Sequence, residues 1–237
     1  MSQPWEHEFW KLPDKEILKI KRINDKYYMS NEWLAYMYPE DNGRYSMGSL
    51  SGGGESQIVV DPSEHLSRDT LKGKCAQGVC EREDVAATIH AHPLKDGNYY
   101  PARGYFSSTD IASDYLRALQ GERVVHYLVH PVPRVDGYHN NVRVLVLDPD
   151  AVKHAMKSAN PDKDPAGVTE DNRKGYDWFK FQDEMGKLGY GGNIDIENTF
   201  GRQNDYFSAF VVVGIIVAAL GIGSLLSSRS RIRSIKV

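Results

Sequence analysis

The chain has 237 residues, enough for one domain of ordinary size with an appendage and too few for a long multidomain assembly. Charged residues make up 26% and the hydrophobic set 41%, close to soluble globular averages, which excludes wholesale disorder and a polytopic membrane protein. Lys plus Arg number 29 against 32 Asp plus Glu, so no overall positive field recruits nucleic acid.

The N-terminus, MSQPWEHEFW, is charged and aromatic and lacks the apolar run of a secretory signal peptide. Short apolar, β-branched and aromatic runs bounded by turn formers predict strands at Glu32–Tyr38, Gln57–Val60, Val85–His90, Val124–Val129 and Val142–Leu147. Helical spacing predicts helices at Thr109–Leu119 and Asp150–Ser158. Strands interleaved with helices give an α+β or α/β sandwich, with the sheet covered on at least one face.

Residues 160–172, rich in Pro, Asp and Asn, read as a connector and set the edge of a main domain at residues 1–159. Tyr176, Trp178, Phe179, Phe181, Met185 and Leu188 recur at three- and four-residue steps, as in an amphipathic helix packed on that domain. Gly189–Asp205 has no helical period and reads as a spacer, so residues 160–205 form a helix-plus-linker segment.

From Tyr206 to Ser228 no residue is charged, and a helix of that length, at about 1.5 Å per residue, covers a hydrocarbon core of about 30 Å. One C-terminal transmembrane helix over 206–228 is therefore expected, followed by a basic tail at 229–237 carrying Arg229, Arg231, Arg233 and Lys236. Basic residues after the span outnumber those before it, which places the tail on a cytoplasm-like side. Without a signal peptide, this leaves a tail anchor with a cytosol-facing domain, or a membrane of unusual sidedness such as an internal viral one.

Chemistry concentrates in residues 88–119. His90 and His92 sit two apart on a predicted strand, so both imidazoles point the same way and can converge on one ion. Ser107 suits a helix N-cap, and Asp110, three residues on, stays in the first turn. Two imidazoles and a carboxylate leave a fourth tetrahedral position for water, the arrangement of a catalytic zinc. The competing reading is a surface histidine pair beside an ordinary capped helix.

The strings His90-Ala91-His92-Pro93 and Ser107-Ser108-Thr109-Asp110 resemble the signature of the JAMM, or MPN-plus, metalloisopeptidases: an upstream Glu, then His-x-His-Pro, then Ser-x-x-Asp. The resemblance implies a JAMM/cytidine-deaminase-like sheet flanked by helices, and Zn2+ held by His90, His92 and Asp110. It also implies an oxyanion-stabilising Ser107 and a general-base glutamate, for which Glu32 in Glu32-Trp33-Leu34-Ala35-Tyr36-Met37 has the matching shape; Glu40 and Glu55 are the alternatives. The expected activity is hydrolysis of a peptide or isopeptide bond in a protein substrate, including ubiquitin-like conjugates, at a lipid bilayer. The motifs fall within residues 17–159, and Leu94–Phe106 is about twice the usual gap, a loop at the mouth of the site where Tyr99, Tyr100, Arg103 and Tyr105 could grip substrate or block access.

A second class of function is a catalytically silent, membrane-tethered scaffold such as a minor virion protein. A peptidoglycan- or toxin-processing peptidase is a weaker third. Elsewhere, Cys75 and Cys80 read as structural thiols, or as a small disulfide loop, in a chain whose domain faces the cytosol. His126, His130 and His139 read as sheet-surface histidines.

Overall fold

The computed structural model describes residues 3–27, 31–54, 58, 60–75, 77–94, 98–135 and 137–196. Helices α1 (Pro4–Trp10) and α2 (Asp14–Tyr27) lead into strands β1 (Trp33–Pro39), β2 (Tyr45–Met47) and β3 (Ser51–Gly52). After α3 (Pro62–Leu71) come β4 (Ala87–Ala91), α4 (Ser108–Leu119), β5 (Val124–Arg134), β6 (Gly137–Leu147), α5 (Pro149–Ala159), α6 (Trp178–Lys187) and β7 (Gly191–Asp195). The strands form one seven-stranded sheet in the order β2-β1-β4-β5-β6-β7, with β3 also paired to β1, so the architecture is mixed α+β.

Every pairing in this sheet is antiparallel except β4 with β5. A parallel neighbour cannot be reached by a hairpin, so the chain must leave the C-terminal end of β4, cross a face of the sheet and re-enter at the start of β5. That crossover carries α4 and sets its N-terminus beside the end of β4.

On the α4 face, Leu128, Leu145 and Leu147 pack with Ile111 and Tyr115 of α4, Val152 and Met156 of α5, and Phe181 and Met185 of α6. On the opposite face Tyr127 donates its hydroxyl proton to the main-chain oxygen of Glu8 at 2.6 Å, pinning α1 to β5. The Glu8 carboxylate is itself buried and meets Arg123 Nη2 at 2.7 Å and Lys11 Nζ at 3.2 Å. Burial opposes its ionisation, yet these two cations hold its pKa below the ordinary glutamate range.

The helices read at Thr109–Leu119 and Asp150–Ser158 are α4 and α5, each one residue longer at the start. The amphipathic helix is α6, its buried Trp178, Phe181 and Met185 turned onto α5 and α4. The spacer reading of residues 189–205 needs correction over its first part. Residues 191–195 are β7, paired with β6 from Leu145↔Gly191 to Asn141↔Asp195, and the compact unit runs to Ile196. Of the two glycines that hid this strand, Gly192 is explained by Trp5 of α1, since a Cβ there would lie 2.5 Å from the indole, while a Cβ on Gly191 would lie 3.4 Å from Val144 O and 3.6 Å from Gly186 N.

The strand read at Gln57–Val60 falls partly outside the described residues, and Ile58 and Val60 lie in no regular element. The apolar run 206–228 and the tail 229–237 lie outside them altogether. Among the described residues no helix is long and apolar enough to cross a membrane.

Candidate metal centre

Thr88, His90 and His92 share one face of β4 and its continuation because side chains alternate along a strand. On β1 the register Leu34↔His90 and Trp33↔Ala91 continues toward a Glu32 and His92 pair, so Glu32 occupies the same face. Asp110 comes from the first turn of α4, whose N-cap is Ser107, and its carboxylate accepts the Ser107 amide proton at 2.6 Å. Strand alternation, antiparallel register and the parallel crossover thus bring four side chains from three segments to one end of the sheet.

His90, His92 and Asp110 form a group that could hold a metal ion, with one donor atom from each lying within 4.8 Å of the others. His90 Nε2 and His92 Nε2 are 3.2 Å apart, and Asp110 Oδ2 lies 3.7 Å from the first and 3.5 Å from the second. Both histidines are buried, while Asp110 is partly open to the adjoining cleft. Burial works against the Asp110 charge, but the two imidazoles hold its pKa far below the usual carboxylate range.

His92 has its tautomer fixed from outside. Its Nδ1 lies 3.0 Å from the main-chain oxygen of Arg103, a group that can only accept, so Nδ1 carries the proton and Nε2 presents a lone pair. The ring of His90 rests against the edge of Phe106, centroid to centroid 5.4 Å.

Beside the triad opens a cleft of about 450 Å³ whose lining includes Glu32, His92, Arg103, Ser107 and Asp110. Tyr100, Tyr105 and Phe179 form its apolar side, with Tyr105 and Phe179 in edge contact at 5.3 Å. Glu32 Oε1 accepts from Arg103 Nη1 at 3.1 Å. Burial raises the pKa of Glu32 and the Asp110 charge adds to the rise, while His92 and Arg103 pull against it; the net effect is upward.

Of the other glutamates considered, Glu40 pairs at 3.1 Å with Lys15, on residues open to solvent, and Glu55 lies outside the described residues. Within the insertion, Pro101–Gly104 forms a 3-10 turn, and residues 95–97 lie outside the described residues.

Two readings change. Cys75 and Cys80 are joined in a disulfide, with Cα atoms 5.3 Å apart, and pack under Tyr36 and Tyr38 rather than standing as free thiols. His126 and His130 are buried rather than on the sheet surface. His126 lies 2.7 Å from Thr88 Oγ1 and 3.3 Å from Asp114 Oδ2, one helical turn beyond Asp110. His130 sits under Gly104 and near Arg143, where burial, aided by the Arg143 charge, pulls its pKa down to about 4.

Sequence reasoning passed over Gln182 and Arg143, in segments remote from the motif, and took Phe179 only as part of the amphipathic pattern. The advance signal for Gln182 and Phe179 was the amphipathic pattern that placed α6 against the domain; Arg143 lies on β6, whose later part was read as a strand at Val142–Leu147. No family model matches the chain, and no curated protein matches it significantly.

Proposed function

We propose that the protein is a zinc-dependent hydrolase of the JAMM type that cleaves a peptide or isopeptide bond in a protein substrate. The observation that carries the reading is the donor triangle of His90, His92 and Asp110, with edges of 3.2, 3.7 and 3.5 Å. A tetrahedral cation with bonds of about 2.0–2.1 Å separates its ligands by about 3.3–3.4 Å, so the three side chains stand close to the spacing zinc requires, with both edges to Asp110 slightly wide. Two imidazoles and one carboxylate also suit zinc by donor type. When bound, the cation supplies Lewis acidity, which polarises a water molecule and the scissile carbonyl.

Glu32, with its pKa raised by burial, accepts a proton from the attacking water at a carboxylate oxygen. The water oxygen bonds to the carbonyl carbon, the C–N bond breaks, and Glu32 returns the proton to the leaving amine nitrogen. Ser107, exposed at the rim, donates its hydroxyl hydrogen bond to the oxygen on which charge develops. Tyr100, Tyr105 and Phe179 give the cleft an apolar wall for the chain flanking the scissile bond. By the same reading the uncharged run 206–228 tethers this chemistry to a bilayer, and ubiquitin-like conjugates are the first substrates to try.

The test uses the full chain in detergent. One zinc per chain by mass spectrometry, lost in His92→Ala, is expected, together with cleavage of linked ubiquitin-like chains or of a peptide library that falls by about 100-fold or more in Glu32→Gln. A wild type that binds no metal removes the hydrolase reading and leaves the tethered scaffold. Equal rates for wild type and Glu32→Gln remove Glu32 from the mechanism.

A further inference from the structure

We propose that Arg103, in the insertion between β4 and α4, is a positioning residue that holds the two sides of the cleft in register, His92 through its main chain and Glu32 through its side chain. The inference rests on the hydrolase reading and deepens it: the insertion completes the site instead of obstructing it.

The backbone of Arg103 is fixed independently of its side chain. It lies in the turn Pro101–Gly104, where Pro101 pre-sets φ and the Arg103 amide donates to the Tyr100 oxygen at 2.8 Å. The turn is pressed on β5 at Gly104, where a Cβ would come within 3.1 Å of His130 Cε1. In this position the Arg103 oxygen meets His92 Nδ1 at 3.0 Å and orients the imidazole.

The guanidinium performs a different task. Glu32 and Asp110 are both carboxylates lining the same cleft, and their charges repel. The main chain of Glu32 is anchored, its amide donating to the Gly54 oxygen at 2.9 Å and its oxygen accepting from Gly53 at 2.8 Å. Its carboxylate is free to rotate away from Asp110 unless a cation retains it. Arg103 Nη1, 3.1 Å from Glu32 Oε1 on a side chain only 17% exposed, provides that retention. The planar fork of arginine fixes a direction, where a lysine would give only a charge.

The two tasks separate experimentally, because Arg103→Ala deletes the guanidinium and keeps the carbonyl. In the zinc-loaded full chain, Arg103→Ala is expected to retain one zinc and to lose about 10- to 100-fold in kcat with KM changed less than about threefold. Arg103→Lys should recover part of that loss, and millimolar guanidinium ion should raise the rate of Arg103→Ala without affecting wild type. Loss of zinc from Arg103→Ala, a rise in KM alone, or unchanged kinetics overturns the proposal.

Should the wild type bind zinc and turn over no substrate, the hydrolase reading falls and a thermal double-mutant cycle on Arg103→Ala and Glu32→Ala still decides the positioning claim. Losses in Tm that fall short of their sum are expected for a coupled pair, and strictly additive losses overturn it.

Discussion

Gln182 of α6 and Phe106 of the insertion hold each other as two residues of a β-ladder do. The Phe106 amide donates to Gln182 Oε1 at 3.0 Å, and Gln182 Nε2 donates back to the Phe106 oxygen at 2.8 Å. Gln182 Nε2 also donates to Trp178 O at 3.0 Å, so the buried amide is satisfied on both sides. Phe106 in turn lies between the rings of His90 and His126, at 5.4 and 5.6 Å. A helix well downstream of the His-x-His-Pro string therefore helps set the packing around the group that could hold a metal ion.

Replacing Gln182 with leucine keeps the bulk and strands two buried main-chain groups. An unsatisfied buried polar group costs about 1–3 kcal/mol, so a loss of about 2–4 kcal/mol is expected. For a domain of this size that is a fall in Tm of roughly 5–15 °C, readable by circular dichroism. A fall under about 2 °C would show that the Phe106 main chain finds other partners.

Asp114 meets His126 at 3.3 Å, Arg117 at 2.8 Å and Arg82 at 3.3 Å. Burial resists its charge, but His126 and the two arginines depress its pKa well below the ordinary aspartate value. A carboxylate with a depressed folded pKa contributes stability that is complete above the unfolded value of about 3.9 and is lost as pH falls toward the folded value. Asp114→Asn should be less stable than wild type near pH 6 by about 1–3 kcal/mol, with the gap closing between about pH 4 and pH 2. Denaturant melts across that range check the sign; a gap that widens on acidification contradicts it.

Gly192 is bare because the indole of Trp5 covers it. Gly192→Val should cost about 1–3 kcal/mol through overpacking, despite the higher strand propensity of valine. In a Trp5→Ala background the same substitution should become neutral or stabilising. Additive penalties in the two backgrounds would mean that the glycine answers to something other than the indole.

The Cys75–Cys80 bridge closes a short loop beside Tyr36 and Tyr38. Chain-entropy reasoning gives about 2 kcal/mol for a loop of that size, so the double serine variant should lose roughly 4–8 °C in Tm. Reductant should lower the wild-type Tm by a similar amount and leave the variant unmoved.

The sequence carried the local part of this site and not the part made by packing. Alternation along β4 placed His90 and His92 together, and the helix cap placed Asp110, because both are near-neighbour rules that spacing obeys. The position of Glu32 depended on an antiparallel register between strands about fifty residues apart, which only the motif resemblance suggested. Strand β7 was missed because Gly192 makes room for the indole of Trp5 and Gly191 lies close to the backbone of Val144 and Gly186, contacts without any trace in the local pattern. Gln182 was missed for the same reason: a buried amide pairing with distant backbone looks, in sequence, like any polar residue on a helix. His126 and His130 misled by sitting on a strand whose faces are both covered, so that alternation no longer separates wet from dry.

The lone parallel junction in the sheet has a consequence for how such a protein can change over time. Since β4 and β5 run the same way, the chain must make an excursion between them whatever its length, and both strand ends stay pinned by their own ladders. Residues can be gained or lost ahead of Pro101 in that excursion without shifting any ladder, as long as Arg103 and Phe106 keep their contacts with His92, Glu32 and Gln182. Length can thus change in one stretch while the cluster that could hold an ion is inherited unchanged.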